Sequence, residues 1–410
     1  MNRIVHLGLG AFHRAHGAHY VHRANAATGT GWRIHGVSFR SAGVRDALAA
    51  DGWRYVLEVA DADGRRPEVV DVLDGVTVLP EKPDALRGLL ADPAVSLVTL
   101  TVTEKGYHLR GNGRADLDAL AEDVAALRDG RPGRTVPGAL LDALRHRDAP
   151  LTVLSCDNLP DNGAALRGVL LSLADAAGVE RGVVTRHAYP SSMVDRITPA
   201  ADDALRDRMR AAGLPHAAPV ATEAFTEWVV EDRFAGPMPD IATAGARIVP
   251  DVAPHEMRKL RMLNGAHSTL AYAGLNAGHA FVHEAVADPD LRAVARAVMA
   301  EAAATLPQAV QGDAPAYADA LIERFENPHL AHRLDQIAID GSRKLPIRIL
   351  GTRRDHDGPT PACDRALREW TAWLDATFAA GGTPDDPAAD VLRAGRAAGH
   401  DAERLLEDAA

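Results

Sequence analysis

Arg3-Ile4-Val5-His6-Leu7-Gly8-Leu9-Gly10-Ala11-Phe12-His13-Arg14 opens the chain with a short apolar run, two glycines one residue apart and a helix-forming stretch. The run Arg3–Leu7 predicts a buried strand, and a helix is expected from about Ala15. Glycines at a strand-to-helix turn let another group approach the backbone closely, and the first N–H groups of the helix point at whatever sits there. A tight turn holding no ligand has the same pattern, so the stretch needs support from further along the chain.

That support comes in order. Strand, Gly8-Leu9-Gly10, then helix resembles the opening of a dinucleotide-binding fold, although His13 stands where the third glycine of the usual fingerprint belongs. Arg14 is a candidate phosphate partner or else a surface arginine. Trp32–Arg40 reads as a second strand, whose end carries Phe39-Arg40-Ser41 and no acid for ribose hydroxyls. Arg40 fits a 2′-phosphate or stacks on adenine. Ser96–Val102 is β-branched and apolar, a buried parallel strand that delivers Thr103-Glu104-Lys105-Gly106-Tyr107 to the sheet's carboxyl edge. Asp116–Arg128 and Pro137–Arg147 look like crossover helices. Leu151–Ser155 is the next strand, running into Cys156-Asp157-Asn158-Leu159-Pro160. Asn158 alone would read as a turn cap. Asp195 alone would read as a surface helix residue paired with Arg196. Arg247–Val252 is a last strand, and Pro250 and Pro254 mark a boundary.

Beyond Pro254 the chain turns helical. His255–Leu275, HEMRKLRMLNGAHSTLAYAGL, predicts one helix that carries Glu256, Lys259, Asn264 and His267. At about 100° per residue Glu256, Lys259 and His267 share a side with Leu260, Leu263 and Leu270, and Asn264 lies about 60° beyond His267. Lys259 and His267 are about 12 Å apart along such an axis. The chain holds four lysines (Lys82, Lys105, Lys259 and Lys344) among 45 Lys and Arg residues. Lysine can lose its proton in a desolvated pocket and act as a base, whereas arginine stays charged. Lys259 reaching solvent with its charged end is the alternative. Asp288–Leu306, Ala314–Phe325 and Asp364–Ala379 are further helices, the last with Asp364 as N-cap, and Thr383–Ala410 closes with one or two more.

Composition narrows the classes. At 410 residues, 47% hydrophobic and 25% charged, the chain has room for two domains and a large core. A net charge of −11 argues against a general affinity for nucleic acid or an anionic membrane. Cys156 and Cys363 lie far apart and outside any CxxC pattern, which fits a reducing compartment. No apolar run approaches the roughly 18 residues of a membrane span. With a strand starting almost at once, no signal peptide is expected and the protein is placed in the cytoplasm. No metal set is expected: the histidines lack ligand spacing, and His13, His16, His19 and His22, three apart, read as a solvated or packed helix side.

Several of these segments resemble one family. Lys259-x-x-x-x-Asn264-x-x-His267, the Gly8-x-Gly10-x-Phe12-x-Arg14 variant, Thr101–Tyr107, Ser155–Gly163, Tyr189–Pro199 and Leu334–Arg348 occur in the order found in the polyol-specific long-chain dehydrogenases, the mannitol dehydrogenase family. The resemblance runs from Ile4 to about Leu350. It implies a Rossmann-type NAD-binding α/β domain over 1–252 and a mostly α-helical substrate and catalytic domain over 253–410. It implies metal-independent hydride transfer with NAD, NADP remaining open through Arg40. Lys259 would be the general base, Asn158 and Asn264 donors to the developing oxyanion, His267 an orienting group and Glu256 a proton relay. Asp195, Lys344 and Gln336 would meet substrate. Gly8, Leu9, Gly10, Ala11, Phe12, His13, Arg14, Arg40, Thr103, Glu104 and Lys105 would line the cofactor.

The wording around Gln336 and KLRMLNGAHS is similar to the fructuronate reductase (D-mannonate oxidoreductase) branch. That branch implies interconversion of D-fructuronate and D-mannonate. A mannitol or arabinitol dehydrogenase is the rival within the class, and a catalytically silent nucleotide- or sugar-binding regulator the rival outside it. The expected partner is a small sugar acid or polyol, and the family implies a monomer or weak homo-oligomer.

Overall fold

The computed structural model describes residues 2–409. The chain divides into two compact units: the residues up to Ala60 with Arg65–Val252, and Asp61–Gly64 with the residues from Ala253 on.

The first unit holds the strands β1 (Arg3–Leu7), β2 (Arg33–Ser38), β3 (Tyr55–Asp61), β4 (Gly64–Val70), β5 (Leu73–Val78), β6 (Val95–Leu100), β7 (Thr152–Ser155), β8 (Ser192–Asp195), β9 (Val220–Glu223), β10 (Glu227–Glu231) and β11 (Arg247–Val249). Five of them form a parallel sheet in the order β5-β2-β1-β6-β7. That is the doubly wound order, and the direction of winding reverses between β1 and β6. Ala188 makes a parallel bridge to Thr152 beyond β7. Alternation explains the burial. Val5, Leu7, Val98, Leu100 and Val153 enter one apolar core, and Ile4, Ile34, Leu97 and Leu154 enter the other. Successive side chains of a strand point to opposite faces, so a sheet covered on both sides reads as a continuous apolar run. Two three-stranded sheets, β4-β3-β9 and β11-β10-β8, complete the unit. The sequence pattern assigns no strand at β3, β4, β5, β8, β9 or β10.

Boundaries shift for local reasons. The first helix starts at Ala11, not Ala15, and is broken at His16, whose φ of −115° and ψ of −88° lie outside the helical region. The His16 ring instead meets the Glu227 carbonyl at 2.9 Å and packs on Phe12 and Trp228. The crossover helices span Ala121–Arg128 and Val136–Leu144, the second capped by the Thr135 hydroxyl on the Gly138 N–H.

The second unit is helical. Its centre is Ala253–Asn276, whose last segment, Asn264–Asn276, is buried all round from Gly265 through Gly274. The helices Pro289–Ala304, Pro361–Ala379, Leu334–Ala338 and Val282–Ala287 pack around it. The Pro361–Ala379 helix is preceded by Thr360 at its N-cap, so Asp364 is not the cap. It lies in the first turn, 3.0 Å from Arg353 Nε. Proline at the first helical position sets that start, since its missing N–H would have no partner there anyway. The tail forms two helices, Ala389–Ala397 and Ala402–Asp408. No helix among the described residues is long and apolar enough to cross a membrane.

Candidate functional site

At the carboxyl edge of the parallel sheet, Gly8 and Gly10 do different things. Gly8 has φ +90°, and a Cβ there would lie 2.3 Å from the Thr101 carbonyl oxygen. Only glycine lets β1 turn so close beside β6. A Cβ on Gly10 would meet nothing nearer than the Gly8 carbonyl at 3.7 Å, so the space above it is open. An open cradle beside the start of a helix fits a dinucleotide's pyrophosphate. Leu9 is buried, while Ala11 and Phe12 are half-buried.

His13 replaces the third glycine by stacking. Its ring lies on His6 of β1 with centroids 3.3 Å apart, while Gly17, one turn on, leaves room for it. The ring nitrogens of His6 meet Thr99 Oγ1 at 2.8 Å and Thr101 Oγ1 at 2.9 Å. Burial takes His6 down to about 3 and holds His13 well below the usual imidazole range, with His6 adding to the effect on His13. The evenly spaced histidines therefore part company: His19 Nε2 meets Glu68 at 3.0 Å and His22 Nδ1 meets Asp71 at 3.2 Å. Arg14 is buried, not on the surface. Its guanidinium donates to the Gly10 and Ala218 carbonyls, and the Tyr55 hydroxyl donates to its own carbonyl. Arg40 is exposed past the end of β2.

After β6 the chain makes a short 3₁₀ turn, Glu104–Tyr107, that leaves Thr103, Glu104 and Lys105 exposed. Asp157 organises this turn from the end of β7. Its carboxylate accepts the N–H groups of Val102 and Thr103, each at 2.8 Å, and the Tyr107 hydroxyl at 2.8 Å. Burial raises the Asp157 pKa against the pull of those donors. The next residue, Asn158, is exposed at the same edge. Asp195 ends β8 opposite Glu227 and is 7% exposed, so the surface-helix reading fails. Arg196 turns away to the Glu223 and Ala15 carbonyls and His19. Cys156 is buried, and burial pushes its thiol pKa up.

In the second unit the expected straight helix is interrupted. Ala253–Arg258 and Asn264–Asn276 are α-helical, but between them Lys259–Leu263 forms a π turn in which the Asn264 N–H reaches back to the Lys259 carbonyl. The extra residue removes about 100° of rotation between Lys259 and Asn264. A straight helix would spread Glu256, Lys259, Asn264 and His267 over about 140°; with the bulge they fall within about 80°. Lys259 and His267 are each 8% exposed. Glu256 and Asn264 are half-buried. The His267 ring packs 4.5 Å from Phe325 and 5.4 Å from His332. Burial first, then His332, Arg324 and Arg348, keep its pKa well below the usual value. It is a neutral imidazole, able to donate from one nitrogen and accept at the other.

A second π turn, Pro346–Leu350, follows the helix Gly341–Leu345. The two bulged helices cross where Gly265 meets Arg348: a Cβ on Gly265 would lie 3.2 Å from the Arg348 carbonyl oxygen. Lys344 Nζ donates to the Ile339 carbonyl at 2.5 Å and the Ile337 carbonyl at 3.4 Å, at the end of Leu334–Ala338. Burial and the Arg348 charge lower its pKa. Gln336 is exposed on that short helix. Sequence reasoning passed over Asp157 and Arg348, both inside segments quoted above. An arginine-rich chain gives no signal for one arginine, and an Asp beside an Asn reads as turn chemistry.

Known proteins place this arrangement. Residues 2–243 match the family model described as the mannitol dehydrogenase Rossmann domain, and residues 251–400 match the mannitol dehydrogenase C-terminal domain. A mannitol 2-dehydrogenase of Pyrenophora tritici-repentis is 37% identical over 99% of this chain and 75% of its own length. A D-mannonate oxidoreductase of Escherichia coli is 38% identical over 87% of this chain and 76% of its own. Among solved structures, Pseudomonas fluorescens mannitol 2-dehydrogenase in a ternary complex with NAD and D-mannitol superposes with a TM-score of 0.79, at 32% identity over 96% of this chain and 83% of that one.

Proposed function

This chain belongs to the mannitol dehydrogenase family and is an oxidoreductase acting on CH–OH groups of polyols or sugar acids, and we propose that its reaction is the NAD-dependent interconversion of D-fructuronate and D-mannonate. Overall identity does not choose between substrates, since the mannitol and mannonate enzymes are equally similar. The observation that carries the sugar-acid choice is the pair of arginines whose charge acts on the His267 imidazole, Arg324 and Arg348, the second of them hydrogen-bonded to the adjacent Ser268 at 3.0 Å. A substrate carboxylate is the group such a neighbourhood would favour. Cys156 and Cys363 are buried free thiols, in keeping with the cytoplasmic placement that goes with this reading.

NAD held at the Gly8–Gly10 turn would supply the hydride acceptor for the carbinol carbon. Lys259, neutral in the oxidative direction, takes the hydroxyl proton and returns it to the ketone oxygen in the reverse direction. Asn264, gathered beside it by the π turn, and Asn158 donate to the oxygen as charge develops there. His267 orients the substrate, Glu256 passes the proton on, and Asp195, Lys344 and Gln336 hold the remaining hydroxyls. The Gly8–Arg14 turn, Arg40 and Thr103–Lys105 form the cofactor side of this reading.

The test is NADH and NADPH oxidation with D-fructuronate and with D-fructose at equal concentration. Faster NADH turnover with fructuronate is expected. Preference for fructose would overturn the sugar-acid reading, and no turnover with either would reopen the choice of substrate. Lys259→Ala should lower kcat by at least about a hundredfold with NADH affinity retained; full activity in that variant would sink its role as base.

A further inference from the structure

We propose that Arg348 is the residue that receives the carboxylate of the sugar-acid substrate, a specificity-determining role that rests on the sugar-acid reading above. Among the described residues its guanidinium makes one hydrogen bond to protein, Nη1 to Ser268 Oγ at 3.0 Å. It has no ion pair, yet burial takes its pKa down to about 10. The comparison with Arg147 shows what a structural arginine looks like in this chain. Arg147 donates to the carbonyls of Leu90, Asp92, Val95 and Ala149, all within 3.0 Å. Arg348 leaves most of its donors for something else.

A desolvated cation with no counterion raises the energy of the protein unless a ligand compensates it. A neutral polyol offers only hydroxyl acceptors. A carboxylate offers charge and two coplanar oxygens, the geometry that a guanidinium fork matches. Lys344, another cation on this part of the unit, is less available because its Nζ already donates to two carbonyls.

Position agrees. Ser268, which anchors Arg348, follows His267 directly and sits one helical turn beyond Asn264. With the π turn, Lys259, Asn264 and Ser268 descend one face of the helix within about 80°. A carboxylate on Arg348 would therefore hold one end of a short chain whose hydroxyl-bearing carbons extend along the face toward Lys259. The close approach at Gly265 fixes the Arg348 backbone against this helix, so the anchor does not depend on a mobile loop.

The test is the ratio of kcat/KM for D-fructuronate to that for D-fructose in wild type, Arg348→Gln and Arg348→Lys. The ratio should fall at least thirtyfold in Arg348→Gln, mainly through the fructuronate KM, with partial recovery in Arg348→Lys. An unchanged ratio would overturn the proposal, with equal losses on both substrates reducing Arg348 to a structural support and no loss on either removing it from the site. Should Arg348→Gln fail to fold, Ser268→Ala keeps the charge and removes its anchor; a threefold to tenfold fall in the same ratio is expected, and no change counts against the proposal. A wild type that turns over only fructose defeats the sugar-acid reading and this proposal with it. A wild type that prefers fructuronate while Arg348→Gln keeps that preference defeats this proposal alone.

Discussion

The carboxylate of Asp157 holds the main chain of Thr103 in a conformation that threonine rarely adopts. Thr103 has φ +65° and ψ 160°, a region occupied almost only by glycine, and Asp157 Oδ1 accepts its N–H at 2.8 Å. The same carboxylate takes the Val102 N–H and the Tyr107 hydroxyl. Strain of this kind persists only where the surroundings over-determine it, and here the surroundings are a single side chain at the end of β7.

Asp157→Ala leaves those donors without an acceptor and should cost about 1–3 kcal/mol of stability. The Thr103–Tyr107 turn should then relax and NADH binding weaken several-fold. Asp157→Asn keeps one acceptor oxygen and should be milder on both counts. Thermal unfolding and NADH fluorescence titration measure the two effects. Equal behaviour of the two variants would show that the carboxylate does not hold the turn.

The two glycines of the first turn should separate structure from cofactor binding. Gly8→Ala sets a Cβ against the Thr101 carbonyl at a positive φ and should destabilise the fold by at least about 2 kcal/mol. Gly10→Ala meets open space, so its unfolding midpoint should stay close to wild type while its Kd for NADH rises at least tenfold. A Gly10→Ala enzyme that binds NADH normally would remove the cofactor from this cradle.

Deleting Leu260 removes the extra residue of the π turn at Lys259–Leu263. In the resulting α-helix Lys259 and Asn264 are four residues apart and keep about the 40° between them that the bulge gives. A folded protein whose kcat stays within about tenfold of wild type is therefore expected, judged by circular dichroism and steady-state kinetics. A loss of a hundredfold or more would mean that the bulge does more than set the relative rotation of the catalytic groups.

Buried neutral histidines tie stability to pH. His6 is held down to about 3 in the folded chain and rises to about 6.5 on unfolding. A depressed folded pKa contributes stability that is present above pH 6.5 and is lost as pH falls from there toward 3. Between pH 7 and pH 5 His6 should therefore cost about 2 kcal/mol. His13 and His267, lowered by burial in the same way, act in the same direction. Urea midpoints should drop over this range, and His6→Asn should flatten the dependence; an equally steep profile in that variant would exclude His6 as a source.

Much of the first unit was legible because a buried parallel strand leaves a mark in the sequence. Ile4-Val5, Leu97-Val98 and Val153-Leu154 must be apolar on both faces, so their runs are continuous and easy to place. Between Ser41 and Asp92 the apolar runs are short and broken by charged residues and by Asp74-Gly75 within β5, and β3 and β4 lie outside the doubly wound sheet. Asp195 was misplaced onto a helix because local spacing cannot show that Glu227, distant in sequence, pairs beside it.

The sequence by itself determined the family, the Gly8–Gly10 turn and the set of groups Glu256, Lys259, Asn264 and His267, since each depends on residue type and near spacing. Tertiary structure decided their arrangement. Nothing local signals a π turn at Lys259–Leu263; it persists in a helix whose continuation is buried on every side and crossed at Gly265 by a second bulged helix. The same packing leaves Arg348 half-buried with a single hydroxyl partner. A charge's surroundings are set by segments far apart in the chain, and burial, which sets its energy, exists only once those segments have met.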